Sequence, residues 1–348
     1  MKSSDRKKGI YPYYGATGII DYINDYIFDG EYVLLSEDGA NIIDRNYPVS
    51  FITEGKFWVN NHAHIMRSDN NSNYFISLLL EKINYIKYNS GSAQPKLTSK
   101  NVKKIILFIP SKLEQKQLSD FILKLSNLIT LYERKTRLLG KLRTFLTQRL
   151  FSNSSKVSLY FDNKNWSKHK ISEFLTERNE KVVPNSSIPL VSFTVEKGVT
   201  PKSKRYNREF LVKDDNKKYK ITKKDDIVYN PANLKFGAIA RNKFGNAAFS
   251  PIYVTFITKL NPAFTEFLVC RKDFINLALK YQEGTVYERM AVKSKDFLNL
   301  KIYLPNSSRD INHIAQILQS LDTLVSLNKN KVSLITLIKK ELLNTMFI

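Results

Sequence analysis

The 348-residue chain reads as an α/β (α+β) protein built twice over, a mixed domain of strands and helices followed by a long seamed helix. Three observations predict this. Between 113 and 151 the apolar positions Leu118, Ile122, Leu125, Ile129, Tyr132, Leu139, Leu142, Leu146 and Leu150 recur three and four apart, with polar Thr136 in the one open slot. That spacing lays a narrow apolar seam along a helix. The C-terminal stretch repeats it with Ile311, Ile314, Leu318, Leu321, Val325, Asn328, Val332, Ile335, Ile338, Leu342 and Met346, and a shift of 196 puts Leu125 on Leu321, Leu139 on Ile335 and Phe151 on Phe347. The match also begins before the helices: Ser99-Lys100-Asn101-Val102 through Ile109-Pro110 pairs with Ser294-Lys295-Asp296-Phe297 through Leu304-Pro305 at a shift of 195. A period this long marks a duplicated domain and not a solenoid.

Length permits two or three domains. Lys plus Arg number 55 against 32 acidic residues, a net charge of +23. Such an excess points to a polyanion, most simply nucleic acid, with a membrane surface as the rival; an AT-rich coding sequence would raise lysine in the same way. No stretch approaches the ~18–20 apolar residues of a spanning helix. The basic N-terminus lacks a following apolar run, so no signal peptide is expected, and the expected location is cytoplasmic. The single cysteine, Cys270, excludes an internal disulfide and a Cys-rich zinc site.

In chain order, residues 1–110 form the first domain. An aromatic strand and glycine-bounded turn open it at 9–18, a strand is expected over 27–35, a turn at 37–41, a strand and loop at 57–65, helical spacing over 74–88, a polar loop at 91–96 and a closing strand at 104–109. The first long helix occupies 111–152, with Gly140 inside it, and 153–158 is a polar linker. The second domain, 159–305, offers a strand at 188–193, a strand and turn at 226–231, a hairpin over 237–256, a helix over 264–281, a glycine-started loop at 284–289 and a closing strand at 300–304. The second long helix occupies 306–348. The order of elements is shared and the loops differ, which suggests related modules reading different things.

Several stretches resemble those of type I restriction–modification specificity subunits: Tyr13-Tyr14-Gly15-Ala16-Thr17-Gly18, Glu37-Asp38-Gly39-Ala40-Asn41, Gly91-Ser92-Ala93-Gln94-Pro95-Lys96-Leu97 and Asp226-Ile227-Val228-Tyr229-Asn230-Pro231-Ala232. The resemblance covers nearly the whole chain. It implies two target-recognition domains joined by two long helices packed as an antiparallel coiled coil, a bipartite asymmetric site on double-stranded DNA, two modification (methyltransferase) subunits and restriction/motor subunits as partners, and no membrane. It also implies no catalysis and no cofactor in this chain, with S-adenosylmethionine, ATP and Mg used by the partner subunits. The second domain has Trp166 to Ser187 ahead of its strand at Ile188, whereas the first strand of the first domain starts near Ile10. A shortened first domain is therefore expected. The alternative function is a truncated, inactive or regulatory copy that binds modification subunits without specific DNA reading. A helix of about 38 residues would be ~57 Å long at ~1.5 Å per residue, against ~34 Å for one DNA turn, which suits a split site with an unread middle.

Candidate DNA-binding residues follow from chemistry: amides pair with adenine edges, Lys and Arg with guanine or phosphate. In the first domain these are Tyr13, Tyr14, Ala16, Thr17, Asn60, Asn61, His62, Ser92, Gln94 and Lys96. In the second they are Ser192, Thr194, Lys197, Lys202, Lys204, Arg205, Asn233, Lys235, Arg241, Lys243, Tyr287 and Arg289, with the lysine-rich run to Lys224 as a source of salt-dependent phosphate contacts or a solvated charged surface. Asn328 interrupts the helix seam and is read as a register-fixing residue. Arg134, Lys135, Arg137, Lys141, Arg143 and Arg149 are read as outer-face residues.

Other chemistry is weakly signalled. His62 and His64 share a strand face, but no further ligand has metal-site spacing, so no metal is expected. Asp44, Glu54 and Lys56 loosely follow an acid then Glu-x-Lys nuclease pattern, which a lysine-rich chain produces by chance. Asn230-Pro231-Ala232-Asn233 is similar to the Asn-Pro-Pro-aromatic motif of amino methyltransferases, yet two of its four positions differ and no glycine-rich cofactor loop accompanies it. No P-loop is present.

Overall fold

The computed structural model describes residues 5–151, 166–201, 217–284 and 290–346. Two compact units emerge, residues 1–134 with 328–348, and residues 135–327. The unit boundaries cut through both long helices, so each unit consists of one α+β domain and one half of the helix pair.

In the first unit the elements are β1 (Lys8–Gly15), β2 (Gly18–Ile23), β3 (Phe28–Asp29), β4 (Tyr32–Ser36), α1 (Asn41–Asp44), β5 (Ser50–Thr53), β6 (Lys56–Val59), β7 (Ala63–Met66), α2 (Asn73–Leu80), α3 (Ser99–Val102) and the start of α4 (Lys112–Leu150). One sheet has the order β2-β1-β6-β3, with β1 and β6 parallel through Tyr13↔Trp58, and the other β5-β4-β7. β4 is buried along nearly its whole length because it lies between two strands and beneath α2. The single strand expected over 27–35 is divided by Gly30, whose φ of 128° suits only glycine. Helical spacing over 74–88 resolves into α2, capped by Ser72, and a 3-10 turn at Tyr85–Tyr88. The closing strand expected at 104–109 is not formed: residues 105–110 pair with no strand among the described residues.

The second unit holds β8 (Trp166–Lys170), β9 (Leu175–Glu177), β10 (Lys181–Val182), β11 (Val191–Thr194), β12 (Gly198–Pro201), β13 (Tyr219–Thr222), β14 (Ile227–Tyr229), β15 (Ile239–Arg241), β16 (Ala247–Phe249), β17 (Val254–Thr258), α5 (Pro262–Val269), α6 (Lys272–Leu279), β18 (Glu283–Gly284), β19 (Met290–Ala291), α7 (Ser294–Asn299), β20 (Lys301–Pro305) and the start of α8 (Ser308–Met346). The central sheet runs β15-β14-β17-β9. The hairpin expected over 237–256 does not occur, because β15 and β17 both pair with β14 while β16 crosses to β13. One helix over 264–281 becomes α5 and α6, broken at Cys270-Arg271. Asn261 caps α5 with its side chain and Pro262 takes the first helical position, where its missing N–H costs nothing. A stacked aromatic run, Phe256 and Tyr229 against Phe297, forms the centre of the core, which extends to Ile314 and Leu318 of α8.

Within each unit the long helices run antiparallel. In the first, Lys339 Nζ donates to Ser126 Oγ at 2.8 Å and Lys331 lies over the Tyr132 ring; in the second, Arg143 Nε donates to Asp322 Oδ1 at 2.6 Å. Ile122, Leu318, Leu321 and Asn328 are buried, and Leu118, Leu125, Ile129, Leu139, Leu146, Val325, Ile335 and Leu342 are half-buried along the seam. Leu142 is 45% exposed and Ile338 41%, so neither belongs to it. Their neighbours Arg143 and Lys339 take those slots, aliphatic stems inward and charged ends bonded across the pair. Arg143 is therefore not an outer-face residue.

Candidate nucleic-acid interface

In the first unit, stretches far apart in sequence meet at one cluster of turns. Ser36 Oγ donates to Ala16 O at 2.5 Å, tying the β1–β2 turn to the end of β4. Asn60 N donates to Tyr14 O, and the Asn60 side chain accepts from His62 N. Glu37 N donates to His62 O at 2.9 Å, and His62 Nδ1 lies 2.8 Å from Asp38 Oδ2. The loop at 90–97 closes the cluster: Gly39 N donates to Pro95 O, Leu97 N to Glu37 O, and Lys96 Nζ sits 3.4 Å from Glu37 Oε1. Its hinge requires glycine, since a Cβ at Gly91 would lie 1.8 Å from Gln94 O. Asn89 Oδ1 accepts from both Gly91 N and Lys96 N.

Thr17, Asn61, His62, Ser92, Gln94 and Lys96 are exposed on this cluster, and Tyr14, Ala16 and Asn60 are half-buried in it. Tyr14 packs edge-on to Phe57, and burial raises its hydroxyl pKa. Tyr13 is different. It is 1% exposed, with the Arg6 guanidinium over its ring, so it has no edge to offer a base; the alternation along β1 turns it inward. Ser36, Glu37 and Asp38 hold the cluster together and were not singled out as site residues, although Glu37-Asp38-Gly39 reads as a turn.

In the second unit the hairpin of β11 and β12 overhangs an open groove of about 1010 Å³. Ser192, Thr194 and Lys197 lie on one wall, Ile252 and Tyr253 on the other, and Lys217 at one end. The hairpin turns at Gly198, with φ 65°. An adjoining recess of about 220 Å³ shares Phe193 and Tyr253 and reaches Asn233 and Phe236. Burial raises the Tyr253 pKa, opposed by its hydrogen bond with Asn230. Asn233 sits exposed on a 3-10 turn, Pro231–Phe236, which Asn230 caps, and Lys235 lies over the Phe236 ring at 4.9 Å. Tyr253, Ile252 and Phe236 carry no local signal beyond a proline at 251; the sheet crossover brings them to the hairpin.

Two predicted contacts are engaged elsewhere. Arg241 bonds Glu266 at 3.1 Å and Asp225 at 3.2 Å and is 15% exposed, and Lys243 lies 2.7 Å from Glu266. Both hold β15 to α5 and stand outside the groove lining. Within the lysine-rich run, Lys220 pairs with Glu177 and Lys223 with Glu180. Lys202, Lys204, Arg205, Tyr287 and Arg289 lie outside the described residues, as do the linker at 153–158 and Phe347.

Among the described residues no group of three or more His, Cys, Asp or Glu could hold a metal ion, and no helix is long and apolar enough to cross a membrane. His64 is turned to Leu97 O at 2.6 Å, and His62 to Asp38.

Residues 1–139 match the family model for the type I restriction modification DNA specificity domain. The chain is 39% identical over 111 residues to a type I restriction enzyme specificity subunit of Haemophilus influenzae. Residues 1–139 thus resemble the DNA specificity domain of type I restriction–modification systems. The chain is also 30% identical over 105 residues to the EcoprrI specificity subunit of Escherichia coli. These stretches are 32% and 29% of this chain and span only 28% and 24% of those curated relatives. Solved structures share the specificity-subunit fold at low identity. One is the S subunit of M. genitalium, with a TM-score of 0.63 and 12% identity, covering 100% of this chain and 91% of that one. Another is the HsdS subunit of Thermoanaerobacter tengcongensis, with a TM-score of 0.50 and 11% identity, covering 92% and 81%. A third, from a study of complex assembly in a type I system, has a TM-score of 0.51 and 11% identity over 92% of this chain and 82% of that one. The mixed α+β architecture with long helices is thus that of the specificity subunits.

Proposed function

We propose that this chain is a specificity subunit that reads a bipartite, asymmetric site on double-stranded DNA, one part with each unit, and holds two methyltransferase subunits and, through them, restriction/motor subunits. The observation that carries this reading is that each unit presents exposed amide, hydroxyl and lysine groups from chain-distant loops, and the two sets differ. The first unit offers Asn61, Ser92, Gln94 and Lys96; the second offers Thr194, Lys197 and Asn233, with Ser192 half-buried beside them. Amides and lysines are the groups that discriminate base edges in the major groove, while hydroxyls adapt to either. The net charge of +23 supports phosphate attraction along the whole chain.

Catalysis in this proposal lies in the partner chains, which use S-adenosylmethionine, ATP and Mg. This chain supplies address and scaffold. The deciding experiment maps methylated adenines genome-wide in cells expressing the chain with its modification subunit. A two-part asymmetric motif is expected. Gln94→Ala with Asn61→Ala should relax only one part, and Thr194→Ala with Asn233→Ala only the other. An unmethylated genome, beside a modification subunit active with another specificity subunit, would overturn the proposal.

A further inference from the structure

The recess beside the groove of the second unit is built from fixed parts. Its walls carry the rings of Phe193, Phe236 and Tyr253 together with Val195, Asn230 and Asn233. Tyr253 packs on Phe193 at 6.0 Å and on Phe249, at the core, at 4.8 Å between ring centroids. Asn230 bonds the Tyr253 hydroxyl, and its Oδ1 accepts from Ala232 N and Asn233 N to cap the turn Pro231–Phe236. Gly237 ends that turn with φ 80°, and a Cβ there would lie 3.7 Å from Val195 Cγ1. The turn is thereby laid against the tip of the β11–β12 hairpin.

This rigid frame leaves recognition groups unspent. Phe236 is 64% exposed, and among the described residues the side-chain amide of Asn233 has no hydrogen-bond partner. A carboxamide supplies a donor and an acceptor that match a base edge, and aromatic rings stack on any base. The volume, about 220 Å³, is below the ~300–1,000 Å³ of sites that enclose a whole small molecule, and suits one planar ring system. Val195 and Ile252 stand 53% and 60% exposed around the groove and recess. Apolar side chains at a DNA face part base steps. Lys197 and Lys217 line the adjoining groove and Lys235 lies over the Phe236 ring, so the exposed apolar groups are set among cations that suit phosphates.

We propose, resting on the reading that the second unit faces DNA, that this recess takes a single nucleobase swung out of the helix. The base stacks on Phe236 and is hydrogen-bonded by Asn233, while Val195 and Ile252 press into the opened step. A base without a pairing partner is the least costly to take, because less pairing and stacking is broken.

The test measures binding of the full chain to a mixed-sequence duplex, intact or carrying one extrahelical thymine. The second duplex should bind more tightly, and Phe236→Ala should reduce that preference by about 5- to 100-fold, the range for one base–aromatic stack. Phe244→Ala, at an exposed aromatic outside the recess, should keep it. With iodouracil in place of the extrahelical thymine, ultraviolet light should crosslink the DNA to Phe193, Phe236 or Tyr253, as located by mass spectrometry. Equal affinity for the two duplexes, a preference indifferent to Phe236→Ala, or crosslinks confined to residues outside the recess overturns the proposal and leaves the DNA reading standing. A chain that binds neither duplex overturns both.

Discussion

Arg178 and Asp226 form the most enclosed ion pair of the second unit, with side chains 8% and 4% exposed. The guanidinium donates twice to the carboxylate, at 2.8 and 3.0 Å, and Asp226 also accepts from Lys223 N at 2.7 Å. These hydrogen bonds hold the arginine pKa above its usual value. Arg178→Ala leaves a buried carboxylate with one partner fewer and should lower stability by about 3–5 kcal/mol in urea unfolding, whereas replacing both residues by apolar ones of similar volume should cost much less. At Gly91 the constraint is steric. Gly91→Ala should displace the 90–97 loop, shifting the amide resonances of Gln94 and Lys96 while leaving β4 undisturbed.

Arg143 and Lys339 stand at equivalent positions of the two long helices under the shift of 196, and so do their partners Asp322 and Ser126. The same polar slot is therefore built into both copies of the seam, with different chemistry. Arg143→Met strands Asp322 and should cost about 0.5–1 kcal/mol, the range for a part-exposed pair. Among the described residues Lys339 pairs with no carboxylate, and burial lowers its pKa. The unfolded chain then binds that proton more tightly than the folded one, so stability rises with pH through the folded pKa and levels off above the ordinary lysine value. Lys339→Met should remove this slope and raise stability near neutral pH by up to about 1 kcal/mol, as read from thermal unfolding at several pH values. The seam itself was legible as a 3-4 repeat. Its course past 142 and 338 was not, because a long basic side chain fills a seam slot with methylenes that a count of apolar residues ignores.

Across the whole molecule the two units differ in how their cores are made. The first has separate small clusters, around Leu35 and Leu97 and around Leu34 and Phe57. The second has one large continuous cluster reaching from Phe151 to Leu318, with a smaller one around Val228 and Phe249. A contiguous core unfolds as one cooperative body, and small clusters open locally first. Hydrogen exchange should thus find the slowest amides in β14 and β17 and faster exchange throughout β1 and β2. Heat should give more than one transition. If each unit reads its own part of the DNA site, exchanging residues 166–305 for the matching stretch of another specificity subunit should change one half of the methylated motif and leave the other.

The sequence by itself determined the duplication, the two long helices, the basic charge and the loops that carry polar groups, because these depend on spacing and composition along the chain. Only the tertiary structure decided which of those groups face outward. Tyr13 and Tyr14 are adjacent and alike in sequence, yet strand alternation buries one and leaves the other at the loop cluster. Arg241 and Lys243 look as available as Lys197 until Asp225 and Glu266 are brought to them. The strand expected at 104–109 has every residue a strand needs. Whether it pairs depends on a second strand, which no local pattern can supply.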